Sequence, residues 1–124
     1  MTQASSPIPL ICIGRHRDLA LKIEQSLAPN FVYSAIVNSY DKQTVLTLLE
    51  TLNPTPSGII VGGAFSMEVV LELEQIVGEW NEGKEGAEIL KFVNVPIGTV
   101  EREGPAGLVK WIRDALGCTF GVVW

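Results

Sequence analysis

Short apolar runs alternate with helix-period stretches along nearly the whole chain. Ile8-Pro9-Leu10-Ile11-Cys12-Ile13 is continuously apolar and stops at Gly14, the pattern of a strand buried on both faces of a parallel sheet. Phe31-Val32-Tyr33-Ser34-Ala35-Ile36-Val37 is rich in aromatic and β-branched residues and reads as a second strand. Gly58-Ile59-Ile60-Val61 is a third, running into Gly62-Gly63. Ile89-Leu90-Lys91-Phe92-Val93-Asn94-Val95 is a fourth, stopped by Pro96.

Helices fill the intervals. Asp18 is placed to cap the first, with Ala20, Ile23 and Leu27 on one side and Pro29-Asn30 closing it. Ser39 or Asp41 caps the second, where Val45, Leu48, Leu49 and Leu52 follow the i, i+3, i+4, i+7 spacing. Ser66 caps the third, with Val69, Val70, Leu73, Ile76, Val77 and Trp80 on one stripe and Glu68, Glu72, Gln75 and Glu79 opposite. Residues 81–88 are polar and glycine-rich and read as an exposed loop. Pro105 sits near the start of the fourth helix, which turns Leu108, Val109, Ile112, Ala115 and Leu116 inward. Gly117 is its expected stop.

The repeating β-α pattern implies right-handed crossovers and a parallel sheet covered on both faces. The expected architecture is a single-domain, three-layer αβα sandwich over residues 8–124, preceded by a disordered tail at 1–7. The strand orders that fit are 2-1-3-4, which is flavodoxin-like, and 3-2-1-4, half of a Rossmann-like sheet; the first is preferred. The apolar end, Cys118 to Trp124, supplies a fifth strand if it pairs with the sheet.

Composition narrows the function. Hydrophobic residues make up 47% of 124, which excludes a disordered chain. A formal charge of −5 leaves no basic footprint for nucleic acid or an anionic membrane. Residues 1–62 are neutral, and the acidity is concentrated between Glu68 and Glu88. Such a run ordinarily provides solubility and less often a partner surface. No apolar run reaches the roughly 18 residues of a membrane span. Met1–Pro7 has neither the charged nor the long apolar region of a signal peptide. Two cysteines are too few for a disulfide scaffold, so a reducing, cytoplasmic setting is expected.

In an open α/β sheet the ligand crevice lies beyond the carboxyl ends of the strands, where the strand order reverses. For the order 2-1-3-4 that point falls between the first and third strands. Gly14-Arg15-His16-Arg17-Asp18 and Gly62-Gly63-Ala64-Phe65-Ser66 flank it, with 38–40 and 96–99 beside them. Familiar fingerprints are missing there. A dinucleotide site wants G-x-G-x-x-G after the first strand and an acid ending the second; this chain has a lone Gly14 and Asn38. The P-loop pattern is absent. Phosphate-accepting receiver domains resemble this layout in size and strand order, but need acids after the first strand and an aspartate ending the third. Arg15-His16 and Gly62-Gly63 stand there instead, which excludes that phosphotransfer. Flavodoxins carry a hydroxyl-rich loop where this one is basic.

Two positive features remain. Gly62, Gly63 and Ser66 lead a strand into a helix N-terminus, where free N–H groups and the helix dipole favour an anion. Arg15 and Arg17, after Gly14, add charge and bidentate donors. The plainer reading is a tight glycine turn beside solvated arginines. His16, the one histidine, is the candidate general acid–base group. Capping and solvation explain Asp18, Asp41, Glu101 and Glu103. No metal ligand set and no cofactor motif is recognisable. Cys12 is expected to be a buried, inert thiol, and Cys118 the more accessible one.

Two function classes follow. One is a non-catalytic binding or interaction module with an anion site at the carboxyl edge of the sheet. It self-associates as a homodimer through Phe120, Val122, Val123 and Trp124. The other is a small-molecule lyase, isomerase or hydrolase: Arg15 and Arg17 hold an anionic substrate, the Gly62–Ser66 turn stabilises charge, and His16 moves protons.

Overall fold

A computed structural model describes residues 7–124; apart from Pro7, the tail expected at 1–7 lies outside the described residues. The strands are β1 (Ile8–Ile13), β2 (Phe31–Val37), β3 (Gly58–Val61) and β4 (Lys91–Asn94). The helices are α1 (Arg17–Leu27), α2 (Lys42–Thr51), α3 (Met67–Trp80) and α4 (Thr99–Phe120). All strand pairings are parallel, in the order β2-β1-β3-β4. The order expected from the β-α pattern is therefore the order found.

Two apolar layers sandwich the sheet. On one face Leu10, Cys12, Tyr33, Ile60 and Val93 meet Ala20, Ile23 and Leu27 of α1 and Leu108, Ile112 and Leu116 of α4. On the other, Ile11, Ile13, Ile59 and Val61 meet Val45 and Leu49 of α2 and Val70, Leu73 and Ile76 of α3. Alternate residues of β1 thus feed opposite layers, as the two-residue pleat requires. The β1–β2 register steps from Leu10↔Tyr33 to Ile11↔Ala35, so Ser34 is an extra residue, a bulge. It brings both Tyr33 and Ile36 to the α1/α4 face, opposite Leu10 and Cys12.

Asp41 caps α2, accepting from the Thr44 N–H at 3.0 Å and the Thr44 hydroxyl at 2.9 Å. Ser66 caps α3, its oxygen accepting from the Val69 N–H. The expected cap at Asp18 is corrected: α1 begins at Arg17, His16 holds the cap position, and Asp18 lies in the first turn, facing the helix dipole. Asn81 fixes the entry to β4 through Leu90, donating to its carbonyl at 2.9 Å and accepting from its N–H at 2.7 Å.

The carboxyl-terminal region departs most from expectation. Gly117 is interior to α4, and the stop is Gly121, left-handed at φ 70°. A Cβ on Gly117 would lie 3.1 Å from the Trp124 indole nitrogen, because the chain folds back along its own helix. The Trp124 indole donates to the Arg113 carbonyl at 2.8 Å, under the Arg113 guanidinium. Its ring meets Phe31, as does that of Phe120. Phe120 and Val122 pack on the α1/α4 layer. No fifth strand forms among the described residues, since helix occupies the chain up to Phe120. Nor is any described helix long and apolar enough to cross a membrane.

Candidate functional site

The β1 and β3 carboxyl ends lie side by side, with Ile13 paired to Val61, and their following loops open a crevice. Arg15 and His16 line it on one side, Gly62, Gly63 and Ala64 on another, and Gly98, Thr99, Val100 and Glu101 on a third. It narrows to a cavity of about 110 Å³ between the sheet and the α1/α4 layer. Cys12, Tyr33 and Ile60 of the sheet, with Ala20, Ile23, Leu108 and Ile112 of the helices, form its apolar inner wall.

Each loop is held by identifiable contacts. The Gly14 N–H donates to the Val37 carbonyl at 2.9 Å and the Gly62 N–H to the Ile13 carbonyl at 2.8 Å. Both bonds prolong the ladder past the strand ends, so the Gly62 amide is not one of the free donors expected at its turn. The Pro96 carbonyl closes the loop after the fourth strand and lies against Gly63 of the loop after the third. It accepts from the Thr99 hydroxyl at 2.7 Å and the Thr99 N–H at 3.2 Å. A Cβ on Gly63 would come within 2.6 Å of the same oxygen, so only glycine fits. The Arg15 guanidinium rests over the buried Phe65 ring at 5.4 Å, which joins the first loop to the second.

The two loops singled out in the sequence therefore converge. Gly14, Arg15, His16, Gly62 and Gly63 line one cavity. Arg17 and Ser66 do not line it: Arg17 opens α1 and Ser66 caps α3. The His16 side chain makes no capping hydrogen bond. Among the described residues the one ion pair within 4.0 Å is Lys110–Asp114, so Arg15, His16 and Arg17 are not neutralised by direct pairing.

The inner wall holds Tyr33, which the sequence did not single out, beside Cys12, buried as expected. Tyr33 and Cys12 are each 8% exposed and face one another. Burial pushes the Cys12 thiol from 9.0 up to about 12, and the nearby Glu24 carboxylate acts in the same direction against the opposing hydrogen bond from Tyr33. Burial likewise raises the Tyr33 hydroxyl. Both are neutral at physiological pH. Glu24 itself accepts from the Tyr33 backbone N–H at 2.7 Å. Near the mouth, Arg102 donates to the Ile97 carbonyl at 2.8 Å, placing a second guanidinium beside Gly98. The α4 segment contributing Thr99 to Glu101 is set off from the rest of that helix by Gly104, at φ 73° and ψ 176°, with Pro105 opening the second piece.

No described group of three or more His, Cys, Asp or Glu side chains has the arrangement to hold a metal ion. Fold and crevice together define a doubly wound α/β domain with a small apolar cavity at its strand-order reversal. No family model, curated protein or solved structure matches the chain.

Proposed function

We propose that the chain is a non-catalytic binding module that takes a small anionic ligand at the carboxyl edge of its sheet. The observation that carries this reading is the convergence of Arg15, His16 and Gly62–Ala64 on one cavity. Arg15 supplies charge and bidentate donors at the mouth, and the apolar inner wall accepts an organic body by the hydrophobic effect. One cation in open solvent gives modest, salt-sensitive affinity. Calorimetric titration with benzoate and with inorganic phosphate, at low and high salt, tests it. Binding is expected to weaken with salt and to fall in Arg15→Ala, while Arg17→Ala, off the wall, changes it little. Unchanged binding in Arg15→Ala would displace the site.

Self-association belongs to the same reading. Its support is Val123, 93% exposed, and the edge strand β2 with Val32 exposed. Sedimentation of the full chain beside Val123→Glu tests a homodimer: the native chain is expected to dimerise at micromolar concentration and the variant to remain monomeric. A cytoplasmic setting accompanies this reading, supported by two free thiols, Cys12 and Cys118.

One observation favours a second reading, a lyase, isomerase or hydrolase for an anionic substrate. His16 stands at the cavity mouth beside Arg15 with its ring free of a capping role. In that reading His16→Gln abolishes turnover while leaving ligand affinity within about twofold.

A further inference from the structure

The cavity has two unlike ends. Its mouth carries Arg15, exposed to solvent, whereas its inner end carries the Tyr33 hydroxyl and Cys12 thiol, more than nine-tenths buried. The thiol is a hydrogen-bonding neighbour of that hydroxyl. A thiol is a weak acceptor, so the phenolic O–H can exchange it for a stronger one when a ligand brings an oxygen into the chamber. We propose that the ligand is a small keto carboxylate, with its carbonyl oxygen accepting from Tyr33 and its carboxylate outside the chamber at Arg15. This rests on the anion-binding reading above and adds the polarity of the inner end.

Three constraints lead to that class. Size is the first: a dry apolar cavity of about 150 Å³ holds benzene, so about 110 Å³ with an open mouth takes one six-membered ring or its branched equivalent. Polarity at depth is the second. Cys12 and Tyr33 are neutral donors, and the Glu24 carboxylate lies close enough to oppose negative charge on either. A carboxylate buried there would be desolvated without a cation, whereas a ketone oxygen carries no such charge. Length is the third. Cys12 precedes Gly14 by two strand residues, roughly 6.6 Å, the span between substituents at opposite ends of such a ring.

The test titrates the full chain with 4-oxocyclohexanecarboxylate, cyclohexanecarboxylate and cyclohexanone. The keto acid is expected to bind about fivefold tighter than the plain acid, one neutral hydrogen bond's worth. That advantage is expected to vanish in Tyr33→Phe, which keeps the ring, while Arg15→Ala weakens both acids equally. Cys12→Val, which fills the inner end, is a second variant expected to remove the keto advantage. Equal affinity of the two acids for the native chain, or an advantage that survives Tyr33→Phe, overturns the inference and leaves the anion reading standing. Tyr33-dependent binding of cyclohexanone, with no gain from a carboxylate, overturns the anion reading and the keto-acid assignment built on it. Failure of all three probes overturns both.

Discussion

Replacing Trp124 with alanine asks whether the chain's end belongs to its own domain. Aromatic side chains bury roughly 150–250 Å²; at 39% exposure, Trp124 keeps about three-fifths of the upper value, roughly 150 Å². At about 25 cal/mol per Å², reduced for residual burial in the denatured chain, that is about 3 kcal/mol. The indole bond to the Arg113 carbonyl and the guanidinium above the ring add about 1.5 kcal/mol. Fraying offsets part of this. Gly121 and Val122 donate to the Gly117 carbonyl, so only the last two residues gain freedom, about 2 kcal/mol. The net loss is about 2.5 kcal/mol, or about 1.2 M in the urea midpoint for a slope near 2 kcal/mol per M. Equilibrium unfolding followed by far-ultraviolet circular dichroism, at about 1 µM and about 100 µM chain, reads it. An intramolecular dock gives the same midpoint shift at both concentrations, whereas a tail held by a second copy gives a concentration-dependent one. A shift below about 0.3 M, or one present only at the higher concentration, would refute the packing described for the tail.

Four further outcomes follow from the site and its supports. Gly63→Ala pushes a methyl against the Pro96 carbonyl and is expected to cost about 1–3 kcal/mol and to weaken ligand binding; a native melting temperature would contradict that contact. Asp41→Ala removes a two-bond cap and is expected to cost about 1 kcal/mol in urea unfolding, whereas Asp18→Ala, outside the cap position, changes less. In thiol titration with a chromogenic disulfide at pH 8, Cys118 reacts at once and Cys12 only on unfolding. Because the folded Cys12 thiol is raised from 9.0 to about 12, its contribution is full below pH 9 and is lost as pH rises from 9 towards 12. Cys12→Ala should flatten that alkaline decline, and an identical decline would count against the buried thiol.

The sheet was legible because each of its strands is a short apolar run bounded by Gly, Pro or Asn, and local pattern suffices for such elements. The switch-point loops were legible for the same reason, since strand ends place them. What escaped is nonlocal. Gly117 has the local signature of a helix stop, yet the returning Trp124 ring occupies the space a Cβ would need, and the helix continues. Pro105 marks a real helix start, but the turn and a half before it is too short for any period to register. Asp18 has the side chain of a cap, but the extended backbone that precedes the helix falls two positions earlier, at His16, whose side chain caps nothing. Tyr33 read as one more aromatic in a strand. Its place at the cavity floor depends on the bulge at Ser34 and on pairing with β1, neither of which periodicity shows. An alternation that fails mid-strand, with Tyr33 and Ile36 turned to one layer, was the available signal.

The most direct measurement on the proposed site is a proton–nitrogen correlation spectrum of the isotope-labelled chain, titrated with cyclohexanecarboxylate. Saturable shifts are expected in the amides of Gly14–His16, Gly62–Ala64 and Gly98–Glu101, the three stretches that wall the mouth. The α3 face and the Val122–Trp124 tail should stay unmoved. The same titration on Arg15→Ala should need several-fold more ligand for half-saturation. Shifts confined to other surfaces, or none up to about 10 mM, an affinity weaker than about −3 kcal/mol, would contradict a ligand site at the reversal of strand order.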